Sequence, residues 1–342
     1  MKKVLVTLLF LLLLITGCSK KDSFDVVKKF NDDVNSSKSY EIIAKMKIIS
    51  DEEEFNYNLD VLYMDDDYYN VSLINSDNNH KQIILRNEEG VYVITPSLNK
   101  SFKFESSWPN NSSQSYLLKS LQSDINKDNK ITLKNVKEGY ILKVSVNYPN
   151  NEELKYEEIY FDKDIKLKKV VVYDKENKER IITEFNKIDL KKNNSKDDFR
   201  LENYITEVKP DENKCEGENC DKTTINVLDD IIYPLYLPGN TYLTSSEKID
   251  NEENKRVILT FAGDKNFTIV EEAISPSNEF EIKPVYGDPV FINDIVGVMG
   301  DNSIKWDKGQ ISYYLTSNNL SLSELNMVAS SMNGARSVLG SK

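Results

Sequence analysis

Alternation with a period of two runs through most of this chain and limits its fold more than any other feature. In Tyr40 to Ile49, the residues Tyr40, Ile42, Ala44, Met46 and Ile48 fall on one face. In Phe55 to Met64, Phe55, Tyr57, Leu59, Val61 and Tyr63 alternate with Asn56, Asn58 and Asp60. Similar segments recur at 68–74, 80–86 and 91–95, and again at 131–136, 140–148, 154–161, 167–173 and 180–190. Polar turns such as Asp65-Asp66-Asp67, Asn150-Asn151 and Glu176-Asn177 separate them, as in an antiparallel meander. Two stretches change to helical spacing. Phe24, Val27, Phe30 and Val34 mark a helix over 22–34, and Leu117, Leu118, Leu121 and Ile125 one over 114–125, with Ser112 or Ser113 placed to cap it. Helix, about five strands, helix, about five strands suits one long twisted sheet embracing two helices over residues 18–190.

Residues 191–224 are polar, charged and poor in apolar residues, so they read as a linker. A small α+β module is expected over 225–334. Its short apolar runs lie at 256–261, 267–273, 290–292, 295–299 and 311–315. Ser321-Leu322-Ser323-Glu324 is a capping box for a helix reaching Met332. Residues 335–342 read as a loose tail.

The N-terminus sets the compartment. Lys2 and Lys3 precede an apolar run from Val4 to Ile15, and Thr16-Gly17-Cys18 follows. Residues 1–17 read as a leader too short to span comfortably, and a cysteine at its cleavage point looks like a bacterial lipobox. Cys18 is then the acylated first residue of the mature chain. Each buried methylene contributes roughly 0.8 kcal/mol, so two or three acyl chains anchor a protein durably. The expected location is the outer face of the cytoplasmic membrane, or the forespore or spore envelope. A formal charge of −12 repels nucleic acid and anionic lipid headgroups alike. Cys215 and Cys220 lie in the linker. A local disulfide is expected there, two free thiols being the alternative; without a nearby His they make half a zinc site.

Catalytic chemistry finds little support. His80 is the only histidine and sits at a turn, with no nucleophile placed beside it by any motif. The acidic turns lack the spacing of a calcium loop, and no phosphate-binding loop is present. Glu157 and Glu158 point to opposite faces of a strand and cannot act as a pair. No cofactor or metal is expected. Trp108, before Pro109, reads as a core residue at a strand–helix junction or as part of an apolar gate.

Two stretches carry a family resemblance. Gly90-Val91-Tyr92-Val93-Ile94-Thr95-Pro96-Ser97-Leu98-Asn99-Lys100, continuing through Trp108-Pro109 to Gln114-Ser115-Tyr116-Leu117-Leu118, resembles the central hairpin and helix of Firmicute sporulation and germination lipoproteins, YdcC-like and GerS-like. Gly287-Asp288-Pro289-Val290, Trp306 and Ile311-Ser312-Tyr313-Tyr314-Leu315 resemble the small C-terminal domain of such proteins and of some anti-sigma regulators. The wider group is the LolA/LolB/RseB-like superfamily. The resemblance implies an α+β, mostly β fold: a LolA-like half-barrel antiparallel sheet wrapping helices, with a small C-terminal domain. It implies an apolar concavity for a lipid or acyl chain, or for a sporulation-envelope partner such as a cortex amidase. Leu117, Leu118, Leu121, Ile125 and Trp108 are the candidate pocket residues. The second domain, absent from short GerS-like proteins, favours the two-domain sporulation branch. An RseB-like envelope-stress sensor acting on an anti-sigma factor is the alternative. Neither role brings a catalytic residue; only Cys18 carries over.

Overall fold

The computed structural model describes residues 22–50, 53–205, 231–250, 255–277 and 279–332. The expected leader with Cys18, the pair Cys215 and Cys220, and the expected tail lie outside the described residues.

A helix α1 (Ser23–Ser36) opens the fold. The Asp22 carboxylate accepts the Asp25 amide hydrogen at 2.9 Å and caps it. Its buried stripe is Val26, Phe30 and Val34. Phe24, expected on that stripe, is instead 69% exposed. It lies about 200° around the helix from Val26, so the four-residue spacing of Val26, Phe30 and Val34 wins the core face.

Six strands follow: β1 (Ser39–Ser50), β2 (Glu53–Met64), β3 (Tyr68–Asn75), β4 (Lys81–Asn87), β5 (Gly90–Thr95) and β6 (Lys100–Glu105). Helix α2 (Leu118–Lys127) interrupts them. Then come β7 (Thr132–Val136), β8 (Gly139–Ser145), β9 (Leu154–Asp162), β10 (Leu167–Asp174) and β11 (Glu179–Asp189). Helix α2 starts later than expected, and neither Ser112 nor Ser113 caps it. Its N-cap is Leu117, with no side-chain bond. Ser113 is occupied elsewhere: its amide donates to the Asn147 carbonyl, and its hydroxyl accepts the Asn147 amide hydrogen.

The remaining elements are β12 (Tyr242–Asp250), β13 (Lys255–Ala262), β14 (Phe267–Ala273), β15 (Glu281–Tyr286), β16 (Asp288–Ile292), β17 (Ile295–Met299), β18 (Ser303–Lys308), β19 (Ile311–Thr316) and helix α3 (Leu322–Ser331). The capping box is present, with Ser321 and Glu324 exchanging hydrogen bonds. Strands β12, β15 and β18 have no counterpart among the expected runs. Glu247, Lys248, Lys283, Pro284 and Lys305 break their apolar pattern.

Twelve strands form the first sheet in the order β15-β6-β5-β4-β3-β2-β1-β11-β10-β9-β8-β7. All its pairs are antiparallel except β15 with β6. Laid flat, twelve strands would span about 50 Å, far wider than two helices. Yet residues from β1 through β6 and from β8 through β10 share one core with α1 and α2. The sheet must therefore curl around the helices, as an open half-barrel. Seven strands, β12-β13-β14-β19-β18-β17-β16, make the second sheet, with α3 against it.

Two features depart from a chain cut into separate pieces. β15 belongs to residues 225–334 but extends the first sheet. Within the expected linker, Phe199 and Leu201 are buried on the convex face of the first sheet against Tyr68, Leu85 and Tyr92.

Candidate functional site

The β16–β17 hairpin of the C-terminal module enters the hollow of the half-barrel. Val296 and Val298 join the first core. The Phe291 ring packs edge-on against Tyr57 and Tyr116, at centroid distances of 6.2 and 6.4 Å. First-sheet side chains hold the hairpin by its backbone. The Gln82 amide donates to the Val296 carbonyl at 3.1 Å and accepts the Val296 amide hydrogen at 2.7 Å. The Tyr57 hydroxyl donates to the Asn293 carbonyl at 2.9 Å. Ser106 donates to Asp288, and the buried Lys100 ammonium pairs with the buried Asp307 carboxylate.

What the hairpin leaves open is a cleft of about 800 Å³ between the two modules. Its apolar lining includes Ile84, Trp108, Tyr116, Leu154, Phe291 and Val296. Tyr148, Gln114, Asn150, Asn151 and Asn326 add hydroxyl and amide groups, and Glu53, Glu153, Asp174, Glu176 and Arg180 also line it. One lip is the segment 231–239. Its Ile232 amide hydrogen goes to the buried Glu271 carboxylate at 3.1 Å, and its Leu235 amide donates to the Ser331 carbonyl. Leu235 and Tyr236 of this segment stand at the mouth, Leu235 being 69% exposed.

Of the residues singled out from the sequence, Trp108 lines the cleft. It is also a core residue, edge-on to Tyr69, and its carbonyl accepts from Arg86. Leu117, Leu118, Leu121 and Ile125 are all buried between α2 and the sheet and do not reach the cleft. Their stripe identified a core contact, because a helix inside a curled sheet spends its whole apolar face on that sheet. His80, expected to be solvated at its turn, is half-buried at the seam between the modules. Burial lowers its pKa, while Asp294 acts the other way.

A polar cluster behind the cleft had no local sequence signal. Glu157, on the inner face of β9, is 0% exposed, and neither carboxylate oxygen has a hydrogen-bond partner. Burial and then the Asp124 charge hold its pKa well above the ordinary carboxylate range. Asp124, on α2, is pushed to about 6 by burial against a Ser113 hydrogen bond, and its Oδ2 is unpartnered. The Tyr148 hydroxyl, which burial and Glu157 keep protonated, also lacks a partner. Glu157 and Glu158 do face opposite sides, Glu158 accepting from Tyr160 on the convex face. The carboxyl group that meets Glu157 comes from a helix 33 residues earlier, so only the tertiary fold reveals it.

Comparisons with known proteins complete this description. The structure of the Pseudomonas aeruginosa MucA/MucB complex is 12% identical, with a TM-score of 0.31, over 89% of this chain and 97% of that one. A chain from the structure of the Clostridioides difficile CwlD amidase in complex with the GerS lipoprotein is 14% identical, with a TM-score of 0.22, over 50% of this chain and 97% of its own. "Sporulation protein YdcC" of Bacillus subtilis (strain 168) is 33% identical, covering 98% of this chain and 100% of that protein. Residues 1–199 match the family described as sporulation protein YdcC-like. A family match over residues 1–199, with a relative that aligns over its whole length, places this chain in the YdcC-like family of sporulation proteins.

Proposed function

We propose that this protein is a lipid-anchored binding protein of the sporulation envelope, tethered through Cys18, which holds an apolar chain or segment in the cleft between its modules. The cleft carries this reading: about 800 Å³ lined by Trp108, Tyr116, Leu154, Phe291 and Val296. Such a space, apolar with a few convergent polar groups, suits a ligand better than bulk water. The half-buried Met327 of α3 projects into it from the second module and offers a way to fill it.

The test uses the full chain in phospholipid nanodiscs and a polarity-sensitive apolar dye, with empty discs as the control. Saturable binding is expected, and Met327→Trp should weaken it about tenfold, since each methylene-sized loss of apolar contact contributes about 0.8 kcal/mol. Binding unchanged by Met327→Trp would remove the cleft from the account. Cys18→Ser should leave the chain unlabelled by a fatty-acid analogue; persistent labelling would refute the anchor.

A further inference from the structure

The carboxylates on the cleft wall are mostly paired with cations, whereas the unpaired carboxyl oxygens are buried deeper. The cleft lining holds Glu53, Glu153, Asp174 and Glu176 against one cation, Arg180, and Arg180 is bound to Asp174 at 2.7 Å. Lys175 and Lys178 pair with Glu153 and Glu176 from outside the lining. Behind the Tyr148 ring lie the two buried carboxyl groups of Asp124 and Glu157, with three oxygens unpartnered between them. Buried carboxyls in native proteins are nearly always bonded, and each unpaired one costs stability. Leaving Glu157 wholly unpaired beside an Asp124 with one free oxygen is costly for a purely structural core.

We propose that Asp124 and Glu157 form the recognition site for a cationic side chain, a lysine carried by an apolar segment of a partner protein lying in the cleft. The inference rests on the binding role proposed above and names the chemistry of the occupant. A lysine suits the site because its ammonium sits on a slim apolar stem, which can follow the apolar cleft wall while the head reaches the carboxyl pair beside Tyr148. The side-chain amides of Gln114, Asn150, Asn151 and Asn326 match a peptide backbone, and the Asn326 Oδ1 is itself unpartnered. Tyr148 stands between the cleft and the pair: it lines the cleft, and its hydroxyl feels both carboxyl groups.

Charge accounting gives the pH dependence. The groups acting on the pair are Lys127 on α2, the Ser113 hydroxyl and the neighbouring Tyr148 hydroxyl. Empty, the pair is held toward its neutral form by burial. An arriving ammonium favours the ionised form, so binding releases protons to solvent and strengthens as pH rises from 5 to 8.

The experiment measures binding of two blocked hexapeptides of Leu and Phe to the full chain in phosphatidylcholine nanodiscs. One carries a central lysine; the other carries norleucine there. The lysine peptide should bind at least tenfold more tightly at pH 8, and the preference should shrink several-fold at pH 5. Calorimetry in two buffers of different ionisation enthalpy should show net proton release for the lysine peptide alone. Glu157→Gln and Asp124→Asn should each abolish the preference while leaving the norleucine peptide and the apolar dye bound as before. Equal binding of both peptides, or a preference that survives both variants, would overturn the proposal while leaving the cleft's apolar role intact. Phosphatidylethanolamine in the disc competing with both peptides, without a lysine preference, would assign the pair to a lipid headgroup and likewise overturn it.

Discussion

Single buried carboxyl groups carry much of the pH sensitivity of this protein. Glu271 lies on the inner face of β14, fully buried, and its carboxylate takes the Ile232 amide hydrogen at 3.1 Å. Burial raises its pKa to about 7, and the Ile232 bond opposes that rise. A folded-state pKa above the unfolded value means that the fold holds a proton the unfolded chain has already released. Stability is therefore fully present below about pH 4.5 and falls as pH rises toward 7. Glu271→Gln keeps the acceptor for Ile232 and removes the ionisation. It should raise stability at pH 8 by about 3 kcal/mol and leave it nearly unchanged at pH 4, as measured by denaturant unfolding at both values. An equal effect at both pH values would mean that packing, not ionisation, dominates at this position.

Among the elements, the crossing from one sheet to the other depends on a single glycine. Gly287 separates β15, the edge of the first sheet, from β16, the edge of the second. Its φ of +120° disfavours other residues, and a Cβ there would lie 2.0 Å from the Met299 carbonyl oxygen. The two strands can leave for different sheets only because this backbone approaches β17 without a side chain. Gly287→Ala should destabilise the protein by about 3 kcal/mol, against about 1 kcal/mol for Gly309→Ala, whose φ of +60° is also left-handed but whose added Cβ would meet no atom within 4 Å. Comparable losses at both positions in thermal unfolding would show that φ alone, and not the close approach, sets the cost.

For the whole molecule, the question is what makes two modules act as one body. Three kinds of tie cross the seam: the β15–β6 pairing, the Gln82 clamp on Val296, and the buried pair Lys100 and Asp307. Lys305, also beside Asp307, has its pKa lowered by burial and by Lys100, with Asp307 acting the other way, so the seam is a crowded basic site. Breaking such a pair from one side leaves an uncompensated buried charge. Lys100→Met or Asp307→Leu alone should cost about 3 kcal/mol, and the double variant clearly less than either. If the losses simply add in denaturant titrations, the two charges are not coupled across the seam.

Much of this architecture was legible from residue spacing. Period-two alternation gave the strands of the first half other than β6 to within a few residues, because one face of each is buried and the other wet. The Ser321–Glu324 box marked the start of α3, because capping depends only on residues three apart. Family membership was equally legible, resting on contiguous stretches such as Gly90 to Lys100. The cleft and its chemistry were not. Val296 and Val298 read as strand residues of the second module, and nothing local says that they fill the first module's core. The helical stripe at Leu117, Leu118, Leu121 and Ile125 showed which face is apolar, not whether a sheet or a ligand covers it. Asp124 and Glu157 meet because a sheet curls around a helix, bringing together residues 33 positions apart. Local periodicity records which side of an element avoids water. Only the tertiary fold decides what stands on that side, because closure of a curled sheet joins faces that are distant along the chain.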